Sequence, residues 1–340
     1  MRKTLLMVLF VLVFCFAFIT AMIADEKSSG LQAGMHAFIT QWGGFGLDKG
    51  KFDRPYGIAI DNNGNVYVTE MNNARVQKFD TSGKYIAIWY GPGGEKIHRT
   101  KTKQVSYDKP DNNFGVNRIN FYNPSGIAVD NEGFVYVVDS GNHSCEKFGS
   151  GGSLISKWGD YGENPVSFST PMGVAADSNG NIYVTDSTSL SDCIKKFDTQ
   201  GDFLTGWCTM TKGSENLGAP SGLCTDKSGN LYIADAEYGR IVKCDPDGKF
   251  LRYYGSSGNG KMQFNSPEGV TVDNTGNIYV SDTGNNRVVE FDQSGNLITS
   301  WGGVGKGNGQ FNSPEGITMD KDGNIYVVDS GNNRIEKFAK

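Results

Sequence analysis

The chain has 340 residues, 46 of them glycine, with 12% aromatic, 20% charged and 38% apolar residues and a formal charge of −5. That apolar share supplies a large core and excludes general disorder. The lack of long amphipathic windows excludes helical bundles, and a weakly acidic balance argues against a nucleic-acid partner.

Arg2-Lys3 precedes an apolar run, Leu5 to Ile23, broken only by Thr20. A basic start and an apolar stretch make an export signal. Ala24 before Asp25 is a plausible cleavage point, and an uncleaved anchor is the alternative because the run approaches the length of a bilayer span. Either way the rest of the chain is expected outside the cell, secreted or anchored, touching the membrane only through this segment. We therefore assign 1–24 to a signal peptide or signal anchor, 25–35 to a short linker and 36–340 to one domain.

That domain is a repeat. Pro-x-Gly, three apolar or small residues, Asp, two variable residues and Gly lead into a Tyr-centred strand ending in an acid. Copies start at Pro55, Pro124, Pro171, Pro220, Pro267 and Pro314, with spacings of 69, 47, 49, 47 and 47 residues. Each copy yields four strands. In the first, these are Gly57–Ile60, Val66–Thr69, Arg75–Phe79 and a strand ending at Trp89. Asp-x-x-Gly turns join the first to the second and the third to the fourth, glycine tolerating positive φ there. The two inner strands are apolar on both faces and the third mixes in polar residues, as in a propeller blade.

From Trp158, Trp207, Tyr254 and Trp301, as from Trp42, the next repeat proline is 13 residues away. From Trp89 it is 35, so residues 91–112 form an insertion. The chain stops just after the sixth third strand. The missing fourth strand is expected upstream at about His36–Trp42, closing the ring and removing its open edges. The fold class is therefore all-β: a six-bladed β-propeller of four-stranded antiparallel blades, closed by an N-terminal strand.

The motifs Gly-x-Phe-x-x-Pro-x-Gly, Asp-x-x-Gly-Asn-Ile-Tyr-Val-x-Asp and Gly-Asn-Asn-Arg-Ile/Val resemble those of the NHL-repeat family of six-bladed propellers, over residues 36–340. The resemblance implies the fold. It leaves function open among protein binding, RNA binding, extracellular sensing and, rarely, catalysis.

Six acids end the second strands: Glu70, Asp139, Asp186, Asp235, Asp282 and Asp329. They read as architectural, bonding their own loops and the arginines five residues later (Arg75, Arg240, Arg287, Arg334), with a ring of cation ligands as the alternative. Ser144 and Cys193 replace that arginine in blades 2 and 3. The three histidines, His36, His98 and His143, are too scattered for the three-His zinc site of an amidating lyase of similar fold. No catalytic or metal residues are assigned and no cofactor is expected. A central calcium or another divalent cation, as in lactonase-type propellers, stays compatible with the abundance of Asn and Asp.

Outside the leader there are five cysteines. Cys145 and Cys193, in adjacent blades, are one candidate disulfide pair, the odd count leaves at least one thiol or an intermolecular bond, and Cys244 reads as a small buried hydrophobe.

Two surfaces are candidates for binding. The residues between Pro and Gly (Tyr56, Ser125, Met172, Ser221, Glu268 and Glu315) should ring the channel mouth. There the two glutamates suit a cation or a basic partner group, unless they are merely solvated, and Tyr56 and Met172 offer apolar contact. The insertion carries Lys96, Arg99, Lys101 and Lys103, which suit an anion. The expectation is a monomeric, non-enzymatic propeller binding a protein or glycan at the cell surface. The alternative is a metal-dependent lyase or lactone hydrolase with a channel site.

Overall fold

A computed structural model describes residues 36–91, 120–162, 164–189, 193–208 and 216–340. Six four-stranded antiparallel sheets follow one another along the chain. In blade 1 the strands are Pro55–Ile60, Val66–Glu70, Arg75–Phe79 and Tyr85–Trp89, paired in that order. In blade 6, Pro314–Met319, Ile325–Asp329 and Arg334–Phe338 are completed by Phe38–Gly43. The closing register sets Phe38 opposite Phe338 and Trp42 opposite Ile335. Closure by the N-terminal strand is therefore present, shifted by a residue or two from the expected 36–42.

The local causes are repeated in each blade. Asp61 accepts the backbone N–H groups of Asn63 and Asn65 at 2.9 and 2.8 Å, fixing the first turn. Its other oxygen accepts the hydroxyl of Tyr67 at 2.9 Å. Tyr67 is fully buried, and an unbonded phenol there would be costly. Tyr136 with Asp130 and Tyr326 with Asp320 repeat the bond.

Two glycine positions are dictated by close approach. On the innermost strand, a Cβ on Gly57 would lie 2.4 Å from the Ser125 carbonyl, so neighbouring blades can crowd the axis only without side chains there. In the second turn, Gly83 has φ +85°, and a Cβ would meet the Trp42 ring at 2.6 Å. The tryptophan ending one blade thus lies over the turn of the next.

The core sits between blades. Tyr67, Val76 and Trp89 of blade 1 pack with Ile127, Val135 and Phe148 of blade 2. Trp42, Tyr326, Val328 and Ile335 of blade 6 pack with Ile58, Val66 and Phe79 of blade 1, so the ring is sealed by the same apolar contact.

The candidate Cys145–Cys193 disulfide is not formed. Cys145 is a buried free thiol, and Cys193 is bonded to Cys208. Cys193 precedes the third strand of blade 3 and Cys208 follows its fourth. The Ile194–Trp207 pairing brings those two ends together, whereas Cys145 faces the packed space between blades 2 and 3. Cys244 is fully buried in apolar core, as expected. The leader, the linker, and all of the insertion except Gly91 lie outside the described residues, including Lys96, Arg99, Lys101 and Lys103.

Candidate binding site at the channel mouth

The acids ending the second strands are all fully buried. Each accepts a backbone N–H from the segment entering its own blade; Asn265 donates to Asp282 and Asn312 to Asp329, both at 2.7 Å. Four pair with their arginines: Glu70 with Arg75, Asp235 with Arg240 (2.8 Å), Asp282 with Arg287 and Asp329 with Arg334 (both 2.7 Å). The arginine then reaches on to the interblade loop. Arg334 donates to the carbonyls of Gly307 and Gln310 at 2.9 and 2.6 Å. In blade 3, Lys195 takes the arginine's place, 3.3 Å from Asp186. The ring of acids is engaged in architecture.

The two histidines among the described residues do not converge. His36 contacts Glu290 at 2.8 Å, both side chains being largely buried where blade 6 meets blade 5, and His143 bonds the Ser169 carbonyl in the blade 2–3 region. His98 lies outside the described residues. Among the described residues no three His, Cys, Asp or Glu side chains gather closely enough to hold a metal. The three-His zinc arrangement therefore does not fit.

The channel holds a narrow cavity of about 60 Å³. Its wall is the glycine ring and the side chains of Ile58, Ile127, Val174, Leu223, Val270 and Ile317. At its mouth stand Tyr56, Glu268 and Glu315, three of the six expected residues. The other three turn away from it. Ser125 donates to the Met172 carbonyl at 2.8 Å, and Ser221 to the Pro267 carbonyl at 3.1 Å. Met172 is half-buried with its sulfur 3.9 Å from the Ser140 hydroxyl. Short hydroxyls on innermost strands find the next blade's carbonyls before they find the axis.

The Tyr56 hydroxyl donates to Glu268 Oε2 at 3.0 Å. Burial raises the pKa of Glu268, opposed by the hydrogen bond from Tyr56 and by the charge of Arg54. Burial, and next the charge of Glu268, push Glu315 up to about 8, opposed by Arg54 and a hydrogen bond with Ser330. Burial and the two carboxylates raise the Tyr56 phenol well above its usual range. Glu315 Oε2 is buried without a hydrogen-bond partner among the described residues. The pair can accept a cation, or trade a proton for one.

Arg54 is the site residue missed in the sequence. It precedes Pro55, where the other copies have Asn123, Thr170, Ala219, Ser266 and Ser313. As the one basic residue in that column, it was the available signal.

The NHL repeat family model matches residues 52–79, 121–147, 264–291 and 311–338. This chain carries NHL repeats. The matches fall on blades 1, 2, 5 and 6, and blades 3 and 4 share their four-stranded antiparallel architecture. The chain is 26% identical over 144 residues to Protein brain tumor of Drosophila melanogaster, an alignment covering 35% of this chain and 14% of that one. It is 29% identical over 113 residues to the probable peptidyl-alpha-hydroxyglycine alpha-amidating lyase pgal-1 of Caenorhabditis elegans, covering 32% and 26%. The matched stretch is thus a small part of each of these curated relatives. A solved protein of unknown function from Bacteroides thetaiotaomicron superposes with a TM-score of 0.64 at 20% identity, covering 88% of this chain and 76% of that one, which shows the shared fold.

Proposed function

We propose that this NHL-repeat propeller is an exported, monomeric, non-enzymatic binding module that recognises a protein or glycan partner at the cell surface. The observation that carries the reading is the channel mouth, where Glu315 presents an unpartnered carboxylate oxygen beside Glu268. The loops on this face support it by exposing Phe45, Tyr161 and Val304, large apolar side chains of the kind buried on partner binding. The acids of the second strands support it from the other side, since they are engaged within the blades and not gathered for chemistry. Among the described residues no three His, Cys, Asp or Glu side chains gather as a His- or carboxylate-based metal site of a lyase would require.

Affinity capture from surface extracts, together with a glycan array, tests the reading. A specific, saturable partner supports it. Turnover of a lactone or an amidation precursor, accompanied by stoichiometric metal in the purified protein, would replace it with the enzymatic alternative.

A further inference from the structure

We infer that the channel mouth is a receptor for one lysine side chain of a protein partner, its ammonium group held between Glu315 and Glu268. This rests on the binding reading above and narrows it.

The demand for a donor is local. Glu315 Oε2 lies in the cavity wall, buried, and nothing described donates to it. Glu268 already accepts the Tyr56 hydroxyl on one oxygen. Arg54 acts on both carboxylates through its charge, but it makes no ion pair with either. Two carboxylates sharing a low-dielectric site favour a bound cation, because like charges there repel strongly.

The size and lining select which cation. A cavity of about 60 Å³ admits a compact ammonium head, whereas a planar guanidinium needs a wider slot and a matched pair of acceptors. Calcium takes six to eight oxygen ligands at about 2.4 Å. Two carboxylates and a phenol over an aliphatic wall supply too few. An ammonium needs only three acceptors and tolerates methylene and aliphatic neighbours.

The surroundings select a protein as the carrier. Phe45 and Val304 are 75% and 73% exposed, on the loops that flank blade 6, the blade that carries Glu315. They offer apolar contact to residues beside the lysine. The raised pKa of Glu315 adds a signature: a bound ammonium favours the ionised carboxyl, so binding releases a proton.

The test is calorimetric titration of the full chain with Nα-acetyl-lysine methylamide, with the norleucine and arginine analogues as comparators. Binding of the lysine analogue is expected on the order of 1 mM, at least tenfold tighter than either comparator. It should tighten as pH rises from 6 to 8, with proton release. Glu315→Gln and Glu268→Gln should each weaken it at least tenfold, and Asp322→Asn at the opposite end of the ring should not.

Equal binding of the norleucine or arginine analogue overturns the inference, and this comparison needs no variant to fold. So does retained affinity in folded Gln variants, or displacement of the analogue by calcium. A captured partner that binds the Glu268→Gln/Glu315→Gln double variant unchanged removes the lysine site and leaves the binding reading standing. A lysine analogue that binds as expected while no partner is found does the reverse.

Discussion

His36 Nε2 lies 2.8 Å from Glu290 Oε2, joining the start of the closing strand to the third strand of blade 5. At the Glu290 position the other blades carry lysine (Lys78, Lys147, Lys196, Lys243, Lys337). Each of those lysines lies over the tyrosine of its own blade, at 4.7 to 5.5 Å from the ring centre. In blade 5 the exchange to glutamate lets Tyr279 donate to the same carboxylate at 2.7 Å. The seam of the ring is therefore marked by a bond that the repeat does not contain.

That seam gives the first prediction. Deleting 25–42 removes His36 and most of the last blade's outer strand, leaving Arg334–Phe338 with an unpaired edge. The melting temperature should fall markedly. Trp42→Ala alone should cost about 3 kcal/mol, the usual penalty for removing a large packed aromatic. Chemical denaturation of both variants measures this, and unchanged midpoints would count against closure as the source of stability.

The insertion gives the second. The Phe121 N–H donates to the Tyr90 carbonyl at 3.0 Å, so the segment leaving blade 1 already meets the segment entering blade 2. Removing residues 91–112 and rejoining the ends should leave the fold intact, since shortening a long connection changes closure entropy little. Circular dichroism and soluble yield report the outcome, with loss of soluble protein as the adverse result.

The ring was legible because its determinants are local and repeated six times: the turn aspartate, the paired tyrosine, the channel glycine and a terminal aromatic, which is tryptophan in five blades and Tyr254 in blade 4. The mouth was half legible. Tyr56, Glu268 and Glu315 reach the axis because their side chains are long. Ser125 and Ser221 occupy the same column but bond the neighbouring blade, a choice set by carbonyl positions that no single repeat encodes. The disulfide partner was not legible for a related reason. Cys145 and Cys193 open third strands in adjacent blades, while Cys208 reaches Cys193 through pairing within one blade.

The third prediction concerns the interblade staple. Arg334 bonds Asp329, Glu336 and three loop carbonyls. Arg334→Ala leaves a buried acid and those carbonyls without their donor, so it should cost about 3–5 kcal/mol. Ser144 holds the same position in blade 2, and its hydroxyl makes no hydrogen bond among the described residues. Ser144→Ala should therefore cost under about 1 kcal/mol. Parallel urea melts compare the two, and similar losses would deny the staple its special role.

The fourth prediction follows from Glu315. Its folded pKa is about 8, while an unfolded glutamate titrates near 4.3. Between those values the folded state holds a proton that the unfolded state has lost, so this group's contribution to stability falls as pH rises. Below the unfolded pKa the contribution is fully present, and above the folded pKa it is gone. Glu315→Gln keeps the shape and removes the titration. The variant should be more stable than the parent at pH 9, by about 1–3 kcal/mol, the cost of an unsatisfied buried polar group. The advantage should shrink steadily toward pH 5. Denaturant midpoints at several pH values measure the difference, and a pH-independent gap would show that Glu315 does not titrate in this window.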